Sequence, residues 1–155
     1  MPEGTPIFPR EPVVTVRAPA IQAQLIETFT LLTINHQSLI ATKTARIVHA
    51  AKGDGVMEFG LRRAQGPDAG IYGARAAMIA GCIGTSNVLA GQMFHVPVKG
   101  THAHSWIMSF RTSTPHSKPM PNYIRTHVPL VDTYDTLKSG VPNAIRVFRE
   151  MKTPV

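Results

Sequence analysis

The stretch that decides the fold is Pro97-Val98-Lys99-Gly100-Thr101-His102-Ala103-His104-Ser105-Trp106. An apolar run that begins at Phe94 enters it, a glycine interrupts it, and two histidines and two hydroxyl groups follow. This order is typical of a buried strand that delivers polar side chains at its carboxyl end, where α/β sheets place their ligand sites. We therefore predict a core strand at 96–101 that ends in a functional site.

Strands and helices alternate on both sides of this stretch. Apolar segments at 56–61 and 129–133 predict two further core strands, and helices are indicated at 68–79, 87–94 and 141–151. This alternation is the signature of parallel βαβ units. Because three parallel strands do not close a barrel, we expect an α/β fold that is a fragment of an irregular barrel.

A long first helix is predicted from Ile21 onwards, because apolar residues recur there at spacings of three and four. Its apolar stripe is wide, so the helix is expected to be mostly buried. It should continue through about Ala51 and end at the glycine pair around Asp54. Asp68 and Thr85 are expected to cap the two helices that follow, and 81–84 is predicted to be a turn.

Prolines mark both of the irregular regions of the chain. Residues 1–20 hold five of them around a β-like run at 13–16, which predicts a border strand in the tail of a flanking mixed α/β domain. Residues 21–155 would then form the partial barrel. The segment 111–127 has three prolines and no acid, so it is predicted to be an irregular basic loop; a local frame change in the gene is the alternative.

The charge pattern points to an anionic ligand. The chain has 16 Lys and Arg against 9 Asp and Glu, and no acidic residue falls between Asp68 and Asp132. The basic residues of that interval are Arg75, Lys99, Arg111, Lys118 and Arg125. Aromatic residues make up only 6% of the chain, so phosphorylated small molecules are favoured over nucleic acid.

Cysteine usage and hydropathy predict where the protein works. Cys82 is the only cysteine, which suits a reducing compartment, and no apolar run is long enough to cross a bilayer. The first residues lack the basic and apolar regions of a signal peptide. We expect a cytoplasmic protein with no membrane partner.

Two short motifs could bind a flat or phosphorylated ligand. Phe59, Arg62 and Arg63 follow the strand at 56–61, where a ring can stack on a planar group and guanidiniums can bind phosphate or carboxylate. Solvation of a strand end by the two arginines is the alternative. Ser86 lies in a run of small polar residues at a helix start, where free amides favour an anion.

The two histidines of the opening stretch allow three interpretations. His102 and His104 could bind zinc with His95 or His116, because residues two apart on a strand share a face. They could equally be a structural pair. The third interpretation is an acid–base or nucleophilic histidine, since imidazole can accept a phosphoryl group.

Two carboxylates, Asp132 and Asp135, follow the last predicted strand. Such a pair suits magnesium or sugar hydroxyls, whereas one of the two could serve as a helix cap.

Four motifs follow one another along the chain: Glu58-Phe59-Gly60-Leu61-Arg62-Arg63-Ala64-Gln65-Gly66-Pro67-Asp68, Gly84-Thr85-Ser86-Asn87-Val88-Leu89-Ala90-Gly91, Val98-Lys99-Gly100-Thr101-His102-Ala103-His104-Ser105 and Val131-Asp132-Thr133-Tyr134-Asp135-Thr136. In this order they resemble the motifs of the nicotinate phosphoribosyltransferase family, and the resemblance covers about 8–110 and 130–150.

The resemblance implies the fold of a type II phosphoribosyltransferase, an irregular α/β barrel beside a mixed α/β domain. It implies an enzyme of NAD salvage that joins nicotinate and phosphoribosyl pyrophosphate to give nicotinate mononucleotide and pyrophosphate. ATP would be a co-substrate, hydrolysed through a phosphohistidine, and Mg²⁺ would be bound with pyrophosphate or phosphoribosyl pyrophosphate. The family's enzymes are homodimers and are longer than this chain, which is therefore expected to be an incomplete and inactive form. An inactive fragment that binds anions or a partner subunit is the alternative.

Residue roles follow from the same resemblance. His104 would be the phosphorylated histidine and Asp132 would hold ribose hydroxyls, so these two are the residues expected to be catalytic. Phe59 would stack on the pyridine ring, and Arg62 or Arg63 would meet phosphate or the substrate carboxylate. Ser86 replaces the aspartate of nicotinamide-using relatives, and a neutral residue there suits a carboxylate substrate. The remaining residues expected to bind substrate are Thr101, Ser105 and Asp135.

Overall fold

The structure is a computed structural model that describes residues 1–101, 103–109 and 130–150. Its contacts divide the chain into two compact units, Met1–Gly100 and Thr101–Val155. The predicted irregular segment at 111–127 lies outside the described residues, as does Met151 of the last predicted helix. The predicted boundary after residue 20 stays a prediction.

The first unit has a strand–helix–strand order. Its elements are α1 (Ala20–Ala50), β1 (Met57–Glu58), a 3₁₀ turn (Leu61–Arg63), α2 (Pro67–Ile79), β2 (Gly84–Thr85) and α3 (Val88–Phe94). β1 and β2 pair in parallel, with Met57 opposite Gly84 and Glu58 opposite Thr85. The predicted α/β class is therefore confirmed, with a parallel sheet that is smaller than expected.

Several strand predictions were wrong. The segment 96–101 contributes one parallel bridge, between Val98 and Thr85, and neither 13–16 nor 130–133 forms a strand. Residue 129 lies outside the described residues. Conversely, Gly84–Thr85 was predicted to be a turn and a cap but forms β2. The reason is that a strand exists only where a neighbour completes its backbone hydrogen bonds, which apolar content alone does not reveal.

Helix α1 is one continuous helix that ends where predicted, because Lys52 and Gly53 both adopt positive φ, at 51° and 102°. The prediction that it is mostly buried was wrong. One side of α1 faces α2, and there His36 Nε2 lies 3.0 Å from the Ala69 carbonyl oxygen. Apolar side chains on another arc stay uncovered by the described residues, with Ile21 77% and Phe29 72% exposed. An apolar stripe predicts that one face of a helix is to be covered by another element, but it does not show that the covering element is among the described residues.

Small residues form much of the core of the first unit. Almost complete burial is found for Ala74, Ala76 and Ala77 on α2 and for Ala90 on α3, so the helices can approach closely.

The predictions of the helix caps were wrong. Helix α2 begins at Pro67, directly after Gly66, and Asp68 lies in its first turn but makes no cap hydrogen bond. Helix α3 is capped by Asn87, whose side chain accepts from the Ala90 amide.

The second unit consists of α4 (His104–Met108), a π-helical turn (Thr136–Gly140) and α5 (Val141–Glu150). The predicted last helix is confirmed over its described residues, with Pro142 in its first turn. Gly140 is required where it stands, because a Cβ there would overlap the Val131 carbonyl oxygen. Among the described helices, none is long and apolar enough to cross a membrane.

Candidate functional site

The first group of candidate residues lies at the carboxyl ends of β1 and β2. Phe59 follows β1 and Ser86 follows β2, and because the strands are parallel neighbours, both residues lie at the same edge of the sheet. The Ser86 amide donates to the Glu58 carbonyl oxygen at 3.1 Å. Lys99 is brought to the same edge, since its amide donates to the Thr85 carbonyl oxygen at 2.9 Å.

The two predicted arginines are in a tight turn that follows Phe59. The Arg63 amide donates to the Gly60 carbonyl oxygen at 2.8 Å, which closes the turn, here called the 59–63 turn. Both side chains are exposed, and neither guanidinium has a hydrogen-bond or ion-pair partner among the residues that the structure describes. Phe59 is 37% exposed. The turn can therefore offer a ring and two unpaired cations to a planar anion.

Neither the Glu58 carboxylate nor the Asn87 side chain was among the predicted functional groups, and Thr85 was predicted only as a helix cap. Glu58 accepts hydrogen bonds from the Gly60 amide and from the Thr85 hydroxyl. Asn87 is 3% exposed, and its Nδ2 has no hydrogen-bond partner in the described part of the chain. An acidic residue two positions before a glycine at the end of a strand was the signal that could have identified this network.

Glu58 also acts on the only cysteine. Burial raises the pKa of the Cys82 thiol above its usual range, and the negative charge of Glu58 raises it further. Cys82 is buried, so it is a structural thiol rather than an activated nucleophile.

The predicted basic zone is less uniform than its sequence suggests. Arg75 forms an ion pair with Glu3, hydrogen-bonds Gln37 at 3.2 Å and lies 5.6 Å from the centre of the Phe94 ring. The hydrogen bond from Arg75 lowers the pKa of Glu3. Arg75 is therefore engaged within the first unit, whereas Lys99 is exposed. The other basic residues of the zone, Arg111, Lys118 and Arg125, lie outside the described residues.

The second group is centred on His104, the first residue of α4. Its Nδ1 lies 3.2 Å from the Thr133 hydroxyl oxygen, and its Nε2 lies 4.0 Å from Asp132 Oδ1. Both side chains of the latter pair are open to solvent, 52% for His104 and 60% for Asp132. The structure thus brings together the histidine and the aspartate that were both predicted to be catalytic, and adds Thr133, which was not predicted.

The zinc interpretation finds no support in this geometry. His104 is on a helix rather than on a strand, and His102 and His116 lie outside the described residues. Within the described ranges, no three His, Cys, Asp or Glu side chains lie together as a metal site requires.

The two carboxylates predicted as a pair have different surroundings. Asp135 Oδ1 accepts from the Leu137 and Lys138 amides at 3.1 and 2.8 Å, so this residue caps the π-helical turn. Its Oδ2 also lies 3.9 Å from Lys138 Nζ. Asp132 is the carboxylate that faces His104. The remaining predicted residues, Thr101 and Ser105, are exposed, and Ser105 follows His104 on α4.

A ring and unpaired guanidiniums at the carboxyl ends of parallel strands are typical of α/β proteins that bind planar, phosphorylated ligands. Residues 55–139 match the model of the nicotinate phosphoribosyltransferase (NAPRTase) family. The chain belongs to this family, as its motifs indicated.

Individual relatives agree with this membership. The chain is 51% identical over 153 residues to the nicotinate phosphoribosyltransferase of Bacillus subtilis, covering 97% of this chain and 31% of that protein. It is 45% identical over 121 residues to that of Bos taurus, covering 77% and 22%. The crystal structure of human nicotinic acid phosphoribosyltransferase aligns with a TM-score of 0.80 and 32% identity, over 97% of this chain and 40% of that one. The fold class is thereby confirmed, and the chain spans about a third of the length of the curated relatives first matched.

Proposed function

We propose that this chain supplies the phosphohistidine and the nicotinate-stacking turn of a nicotinate phosphoribosyltransferase. The enzyme would join nicotinate to phosphoribosyl pyrophosphate in NAD salvage, releasing nicotinate mononucleotide and pyrophosphate. The observation that carries the proposal is the exposed His104 imidazole, which contacts Thr133 and faces Asp132 within the family motifs. The setting proposed is the cytoplasm, and the assembly proposed is the family's homodimer.

His104 would accept the γ-phosphoryl group of ATP. A nitrogen–phosphorus bond forms while the bond from phosphorus to the bridging oxygen breaks, and ADP leaves. A neutral imidazole has a free lone pair on only one nitrogen, so when Nδ1–H donates to the Thr133 hydroxyl, Nε2 would carry the lone pair that attacks phosphorus. Hydrolysis of the phosphohistidine would then be coupled to the transfer of the ribose.

The other predicted residues would bind the two remaining substrates. Phe59 would stack on the pyridine ring, while Arg62 or Arg63 would neutralise phosphate or the nicotinate carboxylate. Ser86 carries no charge and so would admit that carboxylate beside the sheet edge. Asp132 would hold ribose hydroxyls, with Thr101, Ser105 and Asp135 as further substrate contacts.

Mg²⁺ would enter together with the phosphates of phosphoribosyl pyrophosphate or pyrophosphate. A magnesium ion in such sites needs one or two carboxylates besides the substrate phosphates. Asp132 fits this requirement because its carboxylate is exposed, whereas Asp135 fits it less well because Oδ1 already accepts two amides.

The test is incubation of the purified full chain with γ-labelled ATP. We expect acid-labile label on the wild-type chain and none on His104→Ala. His49→Ala is the matched control, because His49 is also an exposed histidine on a helix and should leave labelling unchanged. Absence of label from the wild type, or label that survives His104→Ala, contradicts the proposal.

A second assay addresses complete turnover. The prediction that this chain alone does not convert nicotinate and phosphoribosyl pyrophosphate is checked by measuring nicotinate mononucleotide with and without ATP. Product formation by the purified chain would overturn that prediction and strengthen the proposed function. The alternative is an inactive form that binds anions or a partner subunit. The uncovered apolar arc of α1 favours this alternative. It is supported if the chain neither takes up label from ATP nor forms nicotinate mononucleotide.

A further inference from the structure

The Glu58 carboxylate joins the end of β1 to the end of β2. Its Oε1 accepts from the Gly60 amide at 2.5 Å, and its Oε2 accepts from the Thr85 hydroxyl at 2.5 Å. Both oxygens are therefore occupied by donors of the protein itself. A carboxylate in this state does not need a ligand to satisfy it.

The network continues from Thr85 into α3. Thr85 is 0% exposed, and its hydroxyl oxygen accepts from the Asn87 amide at 3.0 Å. Asn87 in turn caps α3 by accepting from the Ala90 amide at 3.0 Å. One chain of hydrogen bonds thus runs from the 59–63 turn to the start of α3, and most of it is shielded from water.

Two observations argue that Glu58 does more than hold the sheet together. The strands are already joined by backbone hydrogen bonds, from Ile83 to the Val56 carbonyl oxygen and from Ser86 to the Glu58 carbonyl oxygen. The Glu58 side chain adds a hydrogen bond that the backbone does not supply, because its carboxylate accepts from the Gly60 amide in the turn. A direct contact with nicotinate is disfavoured, because a second carboxylate would repel the first.

We infer that Glu58 is a positioning residue, which fixes the 59–63 turn so that the Phe59 ring and the two guanidiniums face an aromatic carboxylate beside Ser86. The inference rests on the proposed function, because it assumes that the turn receives nicotinate. Its physical basis is that a displacement of about 1 Å of a binding group can cost as much as a hundredfold in function. The conformation of the turn is thereby set before the ligand arrives.

Glu58→Gln is the informative variant, because it keeps the shape of the side chain but replaces one accepting oxygen with an NH₂ group. That group donates, and it would face the Gly60 amide or the Thr85 hydroxyl, which also donate. Thr85→Val removes the hydroxyl, whereas Thr85→Ser keeps it. Glu27→Gln, at an exposed glutamate of α1, is the matched control for loss of one charge. Dispersed NMR spectra identify the variants that keep the fold, and Glu58→Gln carries the test by itself if Thr85→Val does not fold.

The first measurement is amide hydrogen exchange of Gly60 in the full chain, which does not depend on activity. We expect exchange to be about fivefold faster in Glu58→Gln, because the loss of one hydrogen bond of about 1 kcal/mol corresponds to a factor of roughly that size. Thr85→Ser and Glu27→Gln should match the wild type. Unchanged exchange in Glu58→Gln overturns the inference.

The second measurement is the Kd of the full chain for nicotinate, by calorimetry. We expect Glu58→Gln to weaken binding about tenfold and Thr85→Ser to remain within about twofold. Equal affinity in Glu58→Gln and wild type, with faster Gly60 exchange, overturns the positioning role. If the wild type does not bind nicotinate, the proposed function fails for this chain and the role assigned to Glu58 fails with it, while the exchange result still shows whether Glu58 holds the turn.

Discussion

The two groups of candidate site residues are built in different ways. Around the 59–63 turn, Thr85 and Asn87 are buried, and the hydrogen bonds that join Glu58, Thr85 and Asn87 are 2.5 and 3.0 Å long. Around His104 the side chains are exposed, and the contacts are longer, 3.2 Å to Thr133 and 4.0 Å to Asp132. A contact of 4.0 Å is beyond hydrogen-bond range.

This difference suits the separate tasks that we propose. A turn that recognises a flat ring gains affinity from being fixed in advance, because less is lost on ordering it. A histidine that exchanges a phosphoryl group with ATP has to be reached by a large charged ligand, so it must be exposed. In the structure, Glu58 joins the 59–63 turn to a hydrogen-bond network that is mostly buried, whereas the contacts of His104 depend on how a short irregular segment, residues 130–135, is anchored.

The largest effect should follow from breaking that anchor. In Gly140→Ala the new methyl group overlaps the Val131 carbonyl oxygen, a backbone atom that cannot rotate away. We expect the second unit to lose about 1–3 kcal/mol or more and His104 labelling to fall sharply. Thermal unfolding and the ATP label are the measurements.

Gly100→Ala is the control for that prediction, because nothing lies within 4 Å of the position its methyl group would occupy. Labelling and stability that stay at the wild-type level in Gly140→Ala would show that the 130–135 segment is not anchored there.

Thr133→Val should have the next largest effect, because it removes the side-chain contact to His104 Nδ1 while keeping the shape of the residue. Losing one hydrogen bond of about 1 kcal/mol should slow labelling from ATP roughly fivefold. Thr133→Ser should restore the rate. An unchanged labelling rate in Thr133→Val, together with an unchanged rate in Thr133→Ser, argues against a role for this contact.

The helix caps allow the two regions to be compared directly. Asn87 caps α3 from a buried position, whereas the Asp135 side chain is 49% exposed. Asn87→Ala leaves the Ala90 amide without its acceptor inside the protein, so the free energy of unfolding should fall by about 1–2 kcal/mol. Asp135→Ala leaves amides that water can reach, so the loss should be about 0.5 kcal/mol. Asn87→Ser keeps a cap oxygen and should be milder than Asn87→Ala. Denaturant unfolding followed by NMR signals of each unit decides, and equal losses would contradict the contrast in burial.

Helix ends could be predicted from the sequence because local residues set them. Gly53 was predicted to end α1 and does so through its positive φ, and α2 begins at Pro67, one residue before the predicted range of 68–79, although Asp68 does not cap it. The strands could not be predicted as well, because β1 and β2 have two residues each and exist only as partners. Gly84 suggested a turn, but its lack of a side chain instead allows the Pro97 carbonyl oxygen to approach.

Motifs located the candidate residues, and parallel pairing explains why Phe59 and Ser86 lie at the same edge of the sheet. Contacts between residues distant in sequence were not predictable in this way. Arg75 is engaged by Glu3, 72 positions earlier, so one cation of the basic zone is neutralised. The contact between His104 and Thr133 likewise depends on tertiary structure, because 29 positions separate them.

The smallest expected effect tests how tightly the first group is packed. Because burial and the charge of Glu58 both raise the pKa of Cys82, Glu58→Gln should lower that pKa, although burial should keep it above its ordinary value of about 8.5. Alkylation of the only cysteine, measured against pH, should therefore show a lower midpoint in Glu58→Gln and no change in Glu27→Gln.

The raised pKa of Cys82 also predicts how stability depends on pH. A thiol whose pKa is raised by folding stabilises the folded state fully below the pKa of the unfolded state, and this contribution is lost as the pH rises through the pKa of the folded state. The alkaline loss should be smaller in Glu58→Gln, and an unchanged midpoint would mean that the carboxylate and the thiol are not held together as the structure has them.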